Sequence, residues 1–301
     1  MDAKKIGKTV KVLRTRYGYT QHQLADRLNV TDKAVSKWER GLSVPDISII
    51  SQLSDILNID IDNLLEGNIT YLDKSWQGLL VLEENPNRIF SGTQIYDKPL
   101  VYILLSYFML AGIRDIFIDC PGRDCSFIEE TLGDGSEVGV RLHFSGSEEA
   151  IRTSYNIMVV YGNPFIYGSN LTKHFQRAMS RKNGVTALTI PKRISDADSR
   201  VTFDNKMLMP PAAQADIYRL PVLFFPRRFT GYLSKDDTIG TLFTEQLLYA
   251  EPMGRGMVCY PIIDQNAVLN TAVFMRYLKD TMGVEIYQIH EIARNRNLIQ
   301  N

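Results

Sequence analysis

Lys33, Lys37 and Arg40 are spaced by four and three residues, so a helix through them stacks three cations along one stripe. Asp32 and Ser36 lie on the same outer side. Cationic and hydrogen-bonding groups on one exposed helical face are the equipment for contacting phosphates and base edges in a DNA major groove. The remaining residues with chemical potential are scattered. His22, His143, His174 and His290 form no pair at metal-ligand spacing and read as structural or surface histidines. Cys120, Cys125 and Cys259 also lack ligand spacing, and are expected to be buried free thiols in a reducing cytoplasm. Arg227-Arg228 could meet a phosphate or simply be a solvated strand end.

The basic stripe needs a scaffold, and the surrounding sequence supplies one. Ile6, Val10, Leu13 and Tyr17 recur at helical spacing, giving a first amphipathic helix with its lysines outward. Thr20 followed by Gln23 has the form of a capping box and starts a second helix that buries Leu24, Ala25 and Leu28. Asn29-Val30 makes a turn, and Thr31 caps a third helix in which Val35 and Trp38 point inward. Gly41 ends it. Ser43-Val-Pro-Asp46 opens a fourth helix carrying Ile47, Ile50, Leu53 and Leu57, and a short turn from Ile61 to Leu65 closes the bundle.

A chain of 301 residues is long for one domain, so two of unequal size are expected. The first covers residues 1–67, a polar linker 68–75 follows, and the second covers 76–301. Lys+Arg and Asp+Glu are equal at 34 each, yet cations predominate in the first forty residues. A local basic face on a neutral protein suits a DNA-binding module carried by a cytoplasmic body. No signal-peptide pattern follows Met1, and the apolar run Pro99 to Ile113 is too short to span a bilayer, so no membrane association is expected.

In the second domain, Gly78 to Leu82 reads as a buried strand, followed by a loop, a helix over Pro99 to Gly112 and a strand over Asp115 to Asp119. Further strands are predicted at Val140 to Phe144, Ile157 to Tyr161, Val185 to Ile190 and Ile217 to Phe225, with closing helices over Ala272 to Met282 and Ile289 to Asn295. Strands alternating with helical patterns predict an α/β domain with a doubly wound, mostly parallel sheet.

Gln21-x-x-Leu24-Ala25, Val30-Thr31, Val35-Ser-Lys-Trp-Glu-Arg-Gly41 and Pro45-Asp46 resemble the Cro/C1-type (XRE) helix-turn-helix family across nearly the whole all-α first domain. The resemblance implies that Gln21 anchors a phosphate and that Asp32, Lys33 and Lys37 read bases. It implies that Ser36 and Arg40 mostly hold backbone, with Thr31 beside them at the helix start. Lysine donors suit guanine O6 and N7, and Asp32 suits cytosine N4. Dimers on half-sites roughly 34 Å apart would follow. The alternative for this bundle is a solvated charged face used for protein contacts.

Tyr96-Asp-Lys-Pro-Leu-Val-Tyr102, Met109 to Ile118 and Leu132-Gly-Asp-Gly-Ser136 resemble the sugar-phosphate nucleotidyltransferases, above all the glucose-1-phosphate thymidylyltransferases. The resemblance continues through Tyr167-Gly168, Met253-Gly-Arg-Gly256 and His290-Glu-Ile-Ala293. It implies a Rossmann-like nucleotide-diphospho-sugar transferase fold. These enzymes use a glycine-rich loop, lysines and a magnesium held by two aspartates to stabilise charge at a transferring phosphate. Here the loop position holds Glu83-Glu-Asn-Pro-Asn-Arg88, of which only Arg88 survives. The segment carrying the first lysine has no counterpart. Asn163 stands where the first metal aspartate belongs, Met209 where a second lysine precedes Pro210, and Pro261 where the second aspartate falls. Asp264 is the only nearby substitute, and Glu148-Glu149 replace the residues that read base and sugar.

These losses predict a pseudoenzyme with no metal and no cofactor. Arg88, Asn163, Tyr167 and Arg255 remain as the residues of a ligand-binding remnant. The expected protein is a sequence-specific regulator of transcription that binds double-stranded DNA as a homodimer or higher homo-oligomer. Its large domain would sense a sugar nucleotide or sugar phosphate, or oligomerise. The alternatives are a bifunctional enzyme that still transfers nucleotides and a DNA-binding protein with a ligand-free interaction scaffold.

Overall fold

A computed structural model describes residues 2–17, 19–57, 59, 61–67, 69, 76–82, 89–144, 155–191, 200–204, 207–209, 217–235, 237–254 and 256–295. The chain forms two compact units, one built on Met1–Asp73 and the other on the bulk of Lys74–Asn301. Each is taken by itself below.

The described residues of the first unit form the helices α1 Ala3–Arg16, α2 Gln21–Leu28, α3 Asp32–Glu39, α4 Ile47–Ile56 and α5 Ile61–Glu66. Their ends lie where side chains satisfy the free backbone donors. Asp2 caps α1, Thr31 caps α3 through the Ala34 amide, and Asp46 caps α4. Thr20 and Gln23 complete a reciprocal capping box on α2. Asn29 ends α2 in the left-handed conformation, with φ 52°, which turns the chain toward α3. Ile6, Val10 and Leu13 of α1 pack inward with Val35 and Trp38 of α3. Ile47 differs from expectation: as the first residue of α4 it is exposed, and Ile50 and Leu53 supply the buried face.

α1 and α3 approach closely because Gly7 has no side chain. A Cβ there would lie 1.9 Å from the Trp38 carbonyl oxygen. Across this contact Glu39, nearly enclosed, accepts from Arg14 Nε at 2.5 Å and Nη2 at 3.2 Å, and from Gln21 Nε2 at 2.7 Å. One carboxylate at the end of α3 therefore ties down both α1 and α2.

The second unit is built on a nine-stranded sheet in the order β5-β4-β1-β6-β11-β8-β12-β10-β9. The strands are β1 Trp76–Val81, β4 Asp115–Asp119, β5 Arg141–His143, β6 Asn156–Tyr161, β8 Val185–Ile190, β9 Arg200–Asp204, β10 Met207–Met209, β11 Ile217–Phe225 and β12 Leu248–Pro252. Two short ribbons accompany it: β2 Gln94–Ile95 with β3 Lys98–Pro99, and β7 Pro164–Tyr167 with β13 Val258–Pro261. The helices along this part of the chain are α6 Leu100–Ala111, α7 Gly122–Leu132, α8 Leu171–Ser180, α9 Thr238–Thr244, α10 Gln265–Met282 and α11 Ile289–Asn295.

The sheet is mixed, which corrects the expectation of a mostly parallel one. β5, β4, β1 and β6 run parallel, as do β8 and β12. β11 lies antiparallel between β6 and β8, and β10 pairs antiparallel with β12 and β9. Parallel neighbours need a crossover helix, whereas antiparallel β9 and β10 lie close in sequence, one ending at Asp204 and the next starting at Met207. Leu79, aligned with Phe117 and Val159, packs with Leu223 and Phe225 in one apolar cluster.

α6 is buried nearly all round, which explains its unbroken apolar run. α10 begins seven residues earlier than the pattern suggested, because Asp264 caps it by accepting from the Ala267 amide at 2.7 Å. It buries Thr271, Met275 and Leu278 and leaves Leu269, Val273 and Tyr277 exposed. No helix among the described residues is long and apolar enough to cross a membrane. The cysteines require a further correction. Cys120 and Cys125 are joined by a disulfide with Cα atoms 5.6 Å apart, because the end of β4 and the first turn of α7 bring them together. Cys259 alone is free.

Removing Glu39 leaves the largely buried Arg14 guanidinium without its carboxylate, although Nη1 still donates to Tyr19 O, so Glu39→Ala should destabilise the first unit by about 3 kcal/mol. Glu39→Gln, which keeps the shape and can still accept, should cost less. Urea denaturation followed by Trp38 fluorescence measures both. Equal, small losses would show that the pair does not organise the bundle.

Candidate nucleic-acid interface and nucleotide-like cleft

α3 carries Asp32, Lys33, Lys37 and Arg40 to solvent on the side opposite Val35 and Trp38, with Ser36 half-buried among them. Thr31 is occupied as the helix cap, its hydroxyl accepting from Ala34 N at 3.2 Å. Asp32 Oδ1 accepts from the Lys33 amide at 2.8 Å, and Arg40 Nε donates back to the Ser36 carbonyl at 3.3 Å. Neither bond occupies the lysine ammonium groups. Gln21 opens α2, where backbone amides already favour an anion. Its amide nitrogen gives one hydrogen to Glu39 and keeps a second for another acceptor. The structure thus brings Gln21 and the α3 stripe onto one small unit.

Glu39 and Arg14 are the residues that sequence reasoning missed. They are separated by twenty-five positions, so no periodicity could pair them. The one available signal was an acidic residue beside the basic stripe at the end of α3.

In the second unit the carboxyl ends of β1, β4 and β6 converge, where open α/β sheets form their ligand crevices. Leu82 N donates to Asp119 O at 2.7 Å, and Gly162 N donates to Val81 O at 2.8 Å. Gly162, in the left-handed region at φ 63°, turns the chain so that Asn163 enters the cleft wall. Asn163 is 7 % exposed, and its Nδ2 donates to Ile89 O at 2.8 Å. Its carbonyl oxygen accepts from Ile262 N at 2.8 Å, beside the paired Pro164 and Pro261. Asn163 and Pro261, where the family resemblance implies metal carboxylates, are therefore brought together.

Neither position offers a carboxylate, and Asp264 is engaged as the cap of α10. Asn163 Oδ1 has no hydrogen-bond partner among the described residues, leaving one neutral oxygen where magnesium prefers charged ones. Among the described residues no group of three or more His, Cys, Asp or Glu could hold a metal ion. The donor set does not fit magnesium. Met209 sits on β10, four strands from β6 across the sheet.

Tyr167 stands edge-on to Phe274 of α10, with ring centroids 5.4 Å apart, as a packing residue. Tyr107 from α6 anchors β7 by donating to Pro164 O at 3.0 Å and accepting from Ile166 N at 2.9 Å. Burial pushes the Tyr107 and Tyr287 phenols well above their ordinary range, so both stay neutral hydrogen-bonding groups. Of the other histidines and arginines, His143 stacks on Phe117, and Arg228 lies over Phe229. His174 Nδ1 meets Glu251 Oε1 at 2.8 Å in a buried pair that the sequence did not foretell. Arg88, Arg255, Pro210, the Glu83–Arg88 loop, Glu148-Glu149, and residues 68 and 70–75 of the linker lie outside the described residues.

Two substitutions separate roles on α2 and α3. Lys37→Ala should weaken DNA binding and relax preference at one or two base positions, whereas Gln21→Ala should weaken all sequences similarly. Binding selections on randomised duplexes check this, and identical profiles would reverse the assignment. In the cleft, Asn163→Asp sets a carboxylate against the Ile89 carbonyl and removes the donor, at a cost of about 1–3 kcal/mol. Thermal melts measure it, and a variant as stable as the parent would contradict that role.

Comparison with known proteins agrees with both units. The helix-turn-helix family HTH_3 matches residues 10–64. An uncharacterized HTH-type transcriptional regulator of Bacillus subtilis, the SPbeta prophage-derived YonR, is 32% identical over 104 residues, covering 33% of this chain and 92% of that protein. The glucose-1-phosphate thymidylyltransferase of Neisseria gonorrhoeae is 24% identical over 228 residues, 66% of this chain and 79% of the enzyme. A crystal structure assigned as a glucose-1-phosphate thymidylyltransferase from Bacillus anthracis, in complex with sucrose, superposes with a TM-score of 0.57 at 12% identity, over 67% of this chain and 95% of the other. That likeness establishes a mixed α/β nucleotidyltransferase-like fold. With its capped helices and intact turn, the chain belongs to the XRE-type helix-turn-helix regulator family and continues in a thymidylyltransferase-like domain.

Proposed function

We propose that the chain is a sequence-specific transcription regulator whose large domain no longer transfers nucleotides and instead senses a sugar nucleotide or sugar phosphate, or joins protomers. The observation that carries this reading is the pairing of an exposed cationic stripe on α3 with a cleft whose wall residue is Asn163, bonded to Ile89 O. Nucleotidyl transfer needs charge-neutralising groups, each typically contributing a few kcal/mol at the transition state. Asn163, Pro261 and Met209 supply none of them.

Sensing is supported by the position of Asn163 at the convergent strand ends and by its buried Oδ1, which has no partner among the described residues and is able to accept from a ligand hydroxyl. Joining of protomers is supported by Leu269, Val273 and Tyr277, which leave an apolar stripe of α10 open to solvent. Either role can reach DNA only through unequal affinities for the DNA-competent and incompetent states.

Full-length protein is melted against a panel of sugar phosphates, nucleoside triphosphates and sugar nucleotides. A ligand at a hundredfold excess over its Kd adds about 2.7 kcal/mol, a shift of several degrees. A ligand that both shifts the melt and changes operator affinity supports sensing; no shift from any compound leaves the joining role, checked by sedimentation with Val273→Glu. Pyrophosphate release from a nucleoside triphosphate and glucose 1-phosphate with magnesium would overturn the loss of transfer.

A further inference from the structure

The chain leaves β4 through Cys120 and Pro121 and enters α7, whose first turn carries Cys125. Both bonded cysteines are partly exposed, so a small reagent reaches them. The same turn grips the segment 89–91 that follows β1 at the cleft. The Arg123 guanidinium lies 4.2 Å from the centroid of the Phe90 ring. Asp124 Oδ1 accepts from Ser91 N at 2.9 Å, and Phe127 stands edge-on to Phe90 at 5.2 Å. Ile89 in turn receives the Asn163 side chain. The disulfide thus fastens to the strand end a helical turn that holds residues 89–91.

We propose that Cys120 and Cys125 are a thiol–disulfide exchange site for low-molecular-weight thiols and disulfides, and that its redox state sets how firmly α7 holds residues 89–91. From the reduced pair, the Cys125 thiolate attacks one sulfur of a small disulfide RSSR. The S–S bond breaks, one RS⁻ leaves and a mixed disulfide forms. The Cys120 thiolate then attacks Cys125 Sγ, forming the intramolecular bond and expelling the second RS⁻. The two protons lost by the protein thiols pass to the two departing thiolates, so protein dithiol plus RSSR gives protein disulfide plus two RSH. Excess RSH runs the exchange backward.

Cys125 is the attacking group because it sits in the first turn of an eleven-residue helix, where the backbone dipoles favour a thiolate. Cys259 serves as an internal contrast: burial pushes its thiol up to about 12, which keeps it protonated and inert. The inference stands apart from the DNA-binding reading, since it concerns the rim of the cleft alone.

Full-length protein is equilibrated in glutathione buffers from fully oxidised to fully reduced, then alkylated and mapped by mass spectrometry, with hydrogen exchange measured in parallel. Cys120 and Cys125 should be protected together in oxidised buffer and alkylated together in reduced buffer, and Cys259→Ser should behave identically. Reduction should speed exchange of the Ser91 amide about tenfold. Cys125→Ser should give the fast exchange in both buffers; if that variant does not fold, reduced wild type supplies the same comparison. Thiols that stay alkylatable in oxidised glutathione, a bond that survives excess thiol, or unchanged exchange at Ser91 would each overturn the proposal.

Discussion

The basic face of the first unit depends on one enclosed carboxylate. Glu39 sits at the end of α3 and accepts from Arg14 on α1 and Gln21 on α2. A charge removed from water is tolerated only where its lone pairs are well occupied, and three donors meet that condition here. The consequence is geometric. Both flanking helices are tied to the end of α3, which fixes where its Lys33, Lys37 and Arg40 positions lie relative to Gln21. Gly7 makes this possible by letting the α1 backbone approach the Trp38 carbonyl, at the usual entropic cost of glycine inside a helix.

The large unit has a mixed α/β nucleotidyltransferase-like fold. β1, β4 and β6 still deliver three chain ends to one crevice. Near these ends Asn163 fastens Ile89, Asp264 starts a helix, and Pro261 closes a ribbon opposite Pro164. Phe90, Arg123 and Phe127 add an aromatic and cationic stack on the same rim. Hydrogen bonds within the protein therefore hold Asn163 and Asp264 in place and fasten this edge of the unit.

Local patterns made much of the fold legible. The strands Val185–Ile190 and Ile217–Phe225 and the helix Ile289–Asn295 fall on the expected residues, because apolar runs and periodicity reflect burial directly. The capping box of Thr20 and Gln23 and the Thr31 cap were equally readable, since a cap is satisfied within three residues. Strand direction was not legible. β11 lies antiparallel between two strands of the parallel set, and nothing within its nine residues encodes which neighbours it will find.

The sequence by itself determined the helix-turn-helix, the outward lysines and the absence of acidic residues at 163 and 261, because these are properties of single positions and short spacings. Tertiary structure alone decided that Glu39 would bind Arg14 and Gln21, that Asn163 would hold Ile89, and that Cys120 would bond Cys125. The physical reason is common to all three. A hydrogen bond, ion pair or disulfide depends on distances of a few ångströms, and those distances are set by how whole elements pack rather than by the residues that finally meet.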